Sequence, residues 1–197
     1  REASNMGWLT FTFSLQKKFE AAFKNSLEVV RMHQQQENLK FLSHFKSKFI
    51  IHRGKRKEPV DRSRVAPPRL YQLRINDSLI CARCIEVDTK PESLNSTFCH
   101  ILNVPFDRSA SNGIIYLWIG SKTPEEEVQL ANEVAKDMTR YHYTLQIVNE
   151  GQEPENFFWT GLGGKKPYET TATFMNYSRL FRCSNEKGYF TVSEKCA

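Results

Sequence analysis

The residues with most capacity for chemistry are cations, and they are gathered in one place. Lys46, Lys48, Arg53, Lys55, Arg56 and Lys57 fall within twelve positions, interleaved with Phe49, Ile50 and Ile51. Between Lys40 and Arg74, eleven Lys and Arg face only Glu58 and Asp61, a surplus of nine; with a formal net charge of +6 overall, the remainder is net negative by three. Basicity this local suits a polyanion or an anionic membrane surface, not a generally basic nucleic-acid domain. Each Lys or Arg near an anionic leaflet contributes on the order of 1 kcal/mol, so six acting together would matter. The same stretch also reads as a solvated linker, and Arg53 to Lys57 fits the short pattern of a nuclear import signal.

Catalytic groupings are harder to find. Cys81 and Cys84 have the spacing of a metal or redox pair, but they lie in the alternating run Leu79 to Val87, where positions three apart point to opposite faces of a sheet. No second Cys pair follows at zinc-ribbon spacing. His33, His44, His52, His100 and His142 are scattered, with His100 inside an apolar run that reads as core. Gly161-Leu-Gly-Gly-Lys165 follows an aromatic segment instead of opening a helix, so it reads as a helix stop and not as a phosphate cradle. No nucleophile stands beside a base, and an enzyme is not expected. Phe157, Phe158 and Trp159 could stack on bases, but in a short amphipathic segment they read as core anchors. No specific nucleic-acid partner is expected.

A chain of 197 residues, 40% hydrophobic and 12% aromatic, is long enough for one or two packed cores. Its longest apolar runs, such as Ile114 to Ile119, fall far short of the roughly 20 residues that span a bilayer. Five cysteines, an odd number, favour free thiols in a reducing compartment. The opening has no signal-peptide pattern and no initiator Met, the expectation for a piece of a longer protein.

The elements that must position these residues come next. Ala3 to Phe23 alternates in part like a strand, but Trp8, Phe11, Leu15, Phe19 and Phe23 form a helical stripe, and helix is expected. Leu27 to Met32 reads as a short strand, Glu37 to Phe45 as a short helix with Leu39, Leu42 and Phe45 on one side, and Phe49 to Ile51 as extended. His52 to Pro68, with Gly, three Pro and a charge run, is a linker. Strands follow at Leu70 to Ile75, Leu79 to Val87, Phe98 to Val104 and Ile114 to Ile119, apolar enough to be buried on both faces. Thr123-Pro124 followed by Glu125, Glu126 and Glu127 marks a helix start, with Thr123 as N-cap and acids meeting the helix dipole, running to about Tyr141. Leu145 to Val148 is a fifth strand, Glu155 to Leu162 a short helix closed by Gly163-Gly164, and Arg179 to Val192 two further strands.

The chain also echoes itself. Gln36-Glu37 and Phe41-Leu42 recur 116 residues later as Gln152-Glu153 and Phe157-Phe158, and Arg69-Leu70-Tyr71 recurs after 110 residues as Arg179-Leu180-Phe181. The unit is strands, long helix, strand, short helix over roughly 100 residues. With Arg69-Leu70-Tyr71-Gln72, Leu94-Asn95-Ser96, Ile115-Tyr-Leu-Trp-Ile-Gly120, Glu150-Gly-Gln-Glu-Pro154 and Phe157-Phe158-Trp159 in that order, the chain resembles the gelsolin/villin superfamily. The resemblance implies an α/β (α+β) fold, each repeat a central mixed five-stranded sheet between one long and one short helix. It divides the chain into the C-terminal part of one repeat (1–51), a basic linker (52–68), a complete repeat (69–165), a linker (166–178) and the start of another repeat (179–197).

The same resemblance implies actin as partner, with filament binding, capping or severing in the cytoplasm and cytoskeleton. Phosphoinositide binding would fall to Lys46, Lys48, Arg53, Lys55, Arg56 and Lys57. A scaffold with other protein partners, nuclear ones included, is the remaining alternative. Family calcium sites use a backbone carbonyl and an Asp on the central strand with a Glu on the long helix. Glu127 holds the helix position, but Thr97-Phe98 stands where Asn-Asp is common, and Gly7 stands at the helix position of the preceding repeat. Losing the strand Asp disables the site, so no cofactor is expected, actin binding is expected to be weakly calcium-dependent or calcium-independent, and Glu127 is read as the remnant of a calcium site or as a solvated first-turn acid.

Overall fold

The computed structural model describes residues 6–24, 26–30, 32, 37–54, 64–76, 78–139, 142–172, 180–184 and 191–196. The chain divides into two compact units, Arg1–Glu37 and Asn38–Ala197. The first contains helix α1 (Met6–Ala22), the element its apolar stripe predicts. Leu27 to Val30 and Met32 have no regular structure, although a strand was expected there. Their β-branched residues lack a partner strand among the described residues, and propensity alone does not make a strand.

The second unit is built on a mixed six-stranded sheet in the order β1-β3-β2-β4-β5-β6. Its strands are β1 (Phe49–Ile51), β2 (Arg69–Asn76), β3 (Ser78–Val87), β4 (Cys99–Pro105), β5 (Asn112–Ile119) and β6 (His142–Asn149). Short connections give the antiparallel pairs β2·β3 and β4·β5, whereas β5 and β6 run parallel and need the crossover supplied by α3 (Glu125–Met138). The sheet has one strand more than the resemblance implies. β1 lies parallel to β3, with Phe49, Ile50 and Ile51 opposite Arg83, Cys84 and Ile85, and covers part of an edge that would otherwise be open. Residues 38–51, grouped by sequence with the preceding repeat, thus belong to the second unit together with α2 (Leu39–Ser43). An antiparallel pair of β7 (Leu180–Ser184) and β8 (Thr191–Cys196) follows.

Period-two alternation divides the core into two layers. Cys99 and Ile101 of β4 and Ile115 and Leu117 of β5 face α3, meeting Leu130, Ala131, Val134 and Ala135. Leu102, Val104, Tyr116 and Trp118 face the other way, onto α4 (Phe157–Gly161). The central strands are buried on both faces, as their continuous apolar character predicts. Two expectations about helix ends need correction. α3 starts at Glu125 with Pro124 as N-cap and no side-chain capping bond; the Pro124 carbonyl accepts from the Glu127 and Val128 amides, and Thr123 is not the cap. On α4, Phe158 and Trp159 are buried but Phe157 is 53% exposed against Phe106. Consecutive helical residues stand about 100° apart, so three in a row cannot all anchor one face. Gly163 and Gly164, both at positive φ, end α4 by donating to the Thr160 and Trp159 carbonyls.

Glycine is required where β5 leaves the sheet. A Cβ on Gly120 would sit 2.3 Å from the Ser96 carbonyl oxygen and 2.8 Å from that of Phe98. That close approach lets the Lys122 amide donate to Ser96 and sets the entry to α3.

Candidate functional site

The basic segment starts in a tight turn. Lys46 and Ser47 both take left-handed conformations, with φ of 51° and 65°, so the chain reverses between α2 and β1 and leaves Lys46 exposed. Lys48 then reaches α3, with Nζ 2.8 Å from Asp137 Oδ2 and 3.7 Å from Glu133 Oε2. At the far end of β1, His52 Nδ1 is 3.1 Å from the Tyr71 hydroxyl and the Arg53 amide donates to Glu86 Oε2 at 2.8 Å. The Arg53 guanidinium pairs with Asp88, and that contact, more than the one from Lys90, holds the Asp88 carboxyl below its ordinary range. Lys55, Arg56 and Lys57 lie outside the described residues.

Of the six residues singled out by sequence, the structure therefore leaves Lys46 facing solvent and sets Lys48 and Arg53 at opposite ends of a three-residue strand. Each of those two is opposed by carboxylates from another element. Composition cannot show this, because the partners come from sequence positions 35 to 89 residues away. Arg53 instead joins two cations that sequence did not single out. Arg74 of β2 and Lys90, in the turn after β3, line with it a cleft of about 470 Å³ that also carries Asp88, Glu92 and Glu169. The Arg74 Nε donates to Gln72 Oε1, and Gln72 Nε2 lies 3.3 Å from His100 Nε2, so the cleft floor connects to a buried polar chain. Alternation along β2 places Gln72 and Arg74 on one face and was the available signal.

Glu127 lies in the first turn of α3, half-buried, and burial raises its carboxyl above the ordinary range. It sits near the Cys99 thiol, which burial pushes up to about 12 while the Thr123 hydroxyl works in the opposite direction. Phe98, at the strand position where the family pattern has Asp, is only 5% exposed and supplies no side-chain oxygen. Among the described residues no three His, Cys, Asp or Glu side chains come together as a metal group. Cys84 is also pushed up to about 12 by burial, which removes thiolate character at neutral pH. His100 is fully buried and pushed down to about 3, and so is neutral.

A second carboxylate set holds the chain after α4 against the repeat. Glu150 accepts from the Ser96 hydroxyl through Oε1 and from the Ser121 amide through Oε2, both at 2.6 Å. Glu153 Oε1 accepts from Trp118 Nε1 at 2.9 Å, the Gly151 amide at 3.0 Å and the Tyr168 hydroxyl at 3.1 Å. Burial pushes both carboxyls up, but these donors pull them further down, and the net direction is low. The Glu-Gly-Gln-Glu motif is architectural: it ties the end of β6 to the start of α3 and to Tyr168. In the first unit, α1 carries Phe11, Leu15 and Phe19, and the Phe19 ring stacks at 6.5 Å on that of Phe23 in the turn that follows.

Comparison with known proteins matches residues 84–158 to the gelsolin repeat. The chain is 59% identical over 197 residues to the flightless-1 homolog of Danio rerio, covering all of this chain and 15% of that protein. It is 57% identical over 201 residues to flightless-1 of Drosophila melanogaster, again covering all of this chain and 16% of the relative. It is 37% identical over 150 residues to the cytoplasmic gelsolin of Halocynthia roretzi, covering 74% of this chain and 19% of that one. The chain thus spans about 15% of the length of the first relatives it matches.

Proposed function

The chain carries a gelsolin repeat and resembles flightless-1 along its whole length, and from that premise we propose that it is an actin-binding module of a gelsolin-family cytoskeletal regulator. Its place would be the end of the fourth repeat, the whole fifth and the start of the sixth. The observation that carries the reading is the match of residues 84–158 to the gelsolin repeat, within a similarity that covers the whole chain. The contact surface falls to the long helix of the preceding repeat, α1, through the face that it turns away from the sheet of its own repeat. Binding is calcium-independent in this reading, because the strand position of the family site is a buried Phe98. The setting is the cytoplasm and cytoskeleton, with nuclear partners as an extension. Elongation of filaments from barbed ends in the presence of the chain tests the reading: slowed elongation supports capping, and unchanged elongation together with absent filament binding removes it.

A second reading is favoured by one observation. From Asn38 to Arg53 the sequence contains Lys40, Lys46, Lys48 and Arg53 and no carboxylate, and the structure displays this stretch at the edge of the sheet. In this reading the segment, with the basic sequence that follows it, recruits phosphoinositides or other anionic lipids. Flotation with anionic vesicles tests it, and binding unchanged after neutralising the cations from Lys46 to Lys57 removes it.

A further inference from the structure

The two edges of the six-stranded sheet are finished differently. One edge is β1, which is three residues long, whereas the other is β6, which has no second neighbouring strand among the described residues. A long edge strand is a template for another chain, and proteins blunt such edges with charges, proline, bulges or shortness. β6 uses none of these devices. His142 to Asn149 contains no Lys, Arg, Asp, Glu or Pro, and all eight residues pair with β5 in one unbroken parallel register.

The side chains narrow what a further strand can be. Tyr143 and Leu145 pack against the α3 layer of the core, and alternation puts Ile147 on the same face. α3 packs chiefly on β4 and β5, and Ile147 is left 54% exposed. An antiparallel second β6, related by a twofold axis normal to the sheet, opposes only residues that lie on the same face. With the axis at Leu145, Tyr143 stands opposite Ile147 of the other copy, Leu145 opposite Leu145, and Thr144 opposite Gln146, so apolar meets apolar and polar meets polar. Moving the axis to Gln146 would set Tyr143 opposite Asn149, and moving it to Thr144 would leave Ile147 beyond the end of the other strand. The strand brings no like charges together, and a charged partner strand would find no countercharge on it.

We propose that β6 is a self-association edge: two copies of this chain pair their β6 strands antiparallel about a twofold axis at Leu145 and extend the sheet across both. The inference is independent of the actin reading. Pairing over one eight-residue strand buries less than a standard interface, so the dimer is weak and concentration-dependent.

The test is sedimentation velocity of the full chain from about 10 µM to about 1 mM, for wild type and I147K, with circular dichroism confirming the fold of each. Ile147 is exposed, so I147K spares the core but sets an ammonium against the apolar edge of the other copy. The expected result is a weight-average mass that rises toward that of a dimer for wild type, and association weaker by about tenfold or more for I147K. Oxidative cross-linking reads the register: T144C mixed with Q146C should yield more cross-linked dimer than wild type or either variant alone. A wild type that stays monomeric over the whole range would leave the edge to a strand of another protein and overturn the proposal. A dimer that is unchanged in I147K overturns it as well, by placing the contact elsewhere. Should I147K not fold, the cross-linking decides, and a mixture that cross-links no more than T144C alone is the contrary result.

Discussion

Lys48 Nζ lies 2.8 Å from Asp137 Oδ2 and 3.7 Å from Glu133 Oε2, and this pairing joins the start of the edge strand β1 to the C-terminal half of α3. The Asp137 partner is the main reason that the Lys48 ammonium is held above its ordinary range, against a smaller opposing effect of burial. D137N should therefore loosen β1 without disturbing the core. Amides of residues 50–51 should exchange with deuterium faster by a factor of roughly 2 to 5, the scale of a surface pair, and 1 M salt should produce the same change in wild type. Unchanged exchange in both would show that β1 is held by backbone pairing alone.

Glu153 is the acceptor on which β5, the β6 turn and Tyr168 converge. E153A removes three hydrogen bonds and leaves the Trp118 Nε1 in a buried position with no acceptor, so a loss of about 2–3 kcal/mol is expected from urea unfolding. E153Q keeps an acceptor oxygen and should lose less than half as much. Equal losses would place the importance of Glu153 in its charge and not in its geometry.

His100 makes the repeat sensitive to acid. Burial pushes its imidazole from 6.5 down to about 3, so between those values the unfolded chain holds a proton that the folded chain does not. Stability is complete above pH 6.5 and falls as pH drops, with a slope of about 1.4 kcal/mol per unit. Glu150 and Glu153, whose carboxyls are held low, add their own loss only below 4.5, and Glu127, held high, acts oppositely just above it. Unfolding midpoints between pH 6 and 5 should fall more steeply for wild type than for H100Q, and parallel lines would contradict the assignment.

The sheet and its two covering helices were legible because burial on both faces leaves a continuous apolar record in β4 and β5, and Pro124 with three following acids marks α3. What escaped reading depended on contacts distant in sequence. β1 is three residues long, and nothing local says that Phe49 to Ile51 will pair with Arg83 to Ile85 instead of staying with the preceding repeat. Phe157 differs from Phe158 only by its angle on one helical turn. The six cations read as one patch because their neighbours in sequence are cations, whereas Lys48 and Arg53 meet Asp137 and Asp88 across the fold.

Calcium should have no tight site here. Glu127 offers one carboxylate, and Phe98 replaces the oxygen that the strand would supply, against the six to eight ligands that Ca²⁺ takes. Titration calorimetry should show no binding tighter than about 10 µM. A sub-micromolar site would mean that oxygens other than those of the family pattern have been recruited.

The central claim is actin binding through α1, and co-sedimentation with filamentous actin tests it most directly. The chain should pellet with filaments, and to the same extent in Ca²⁺ and in chelator. If it stays in the supernatant under both conditions, the proposed actin binding is wrong.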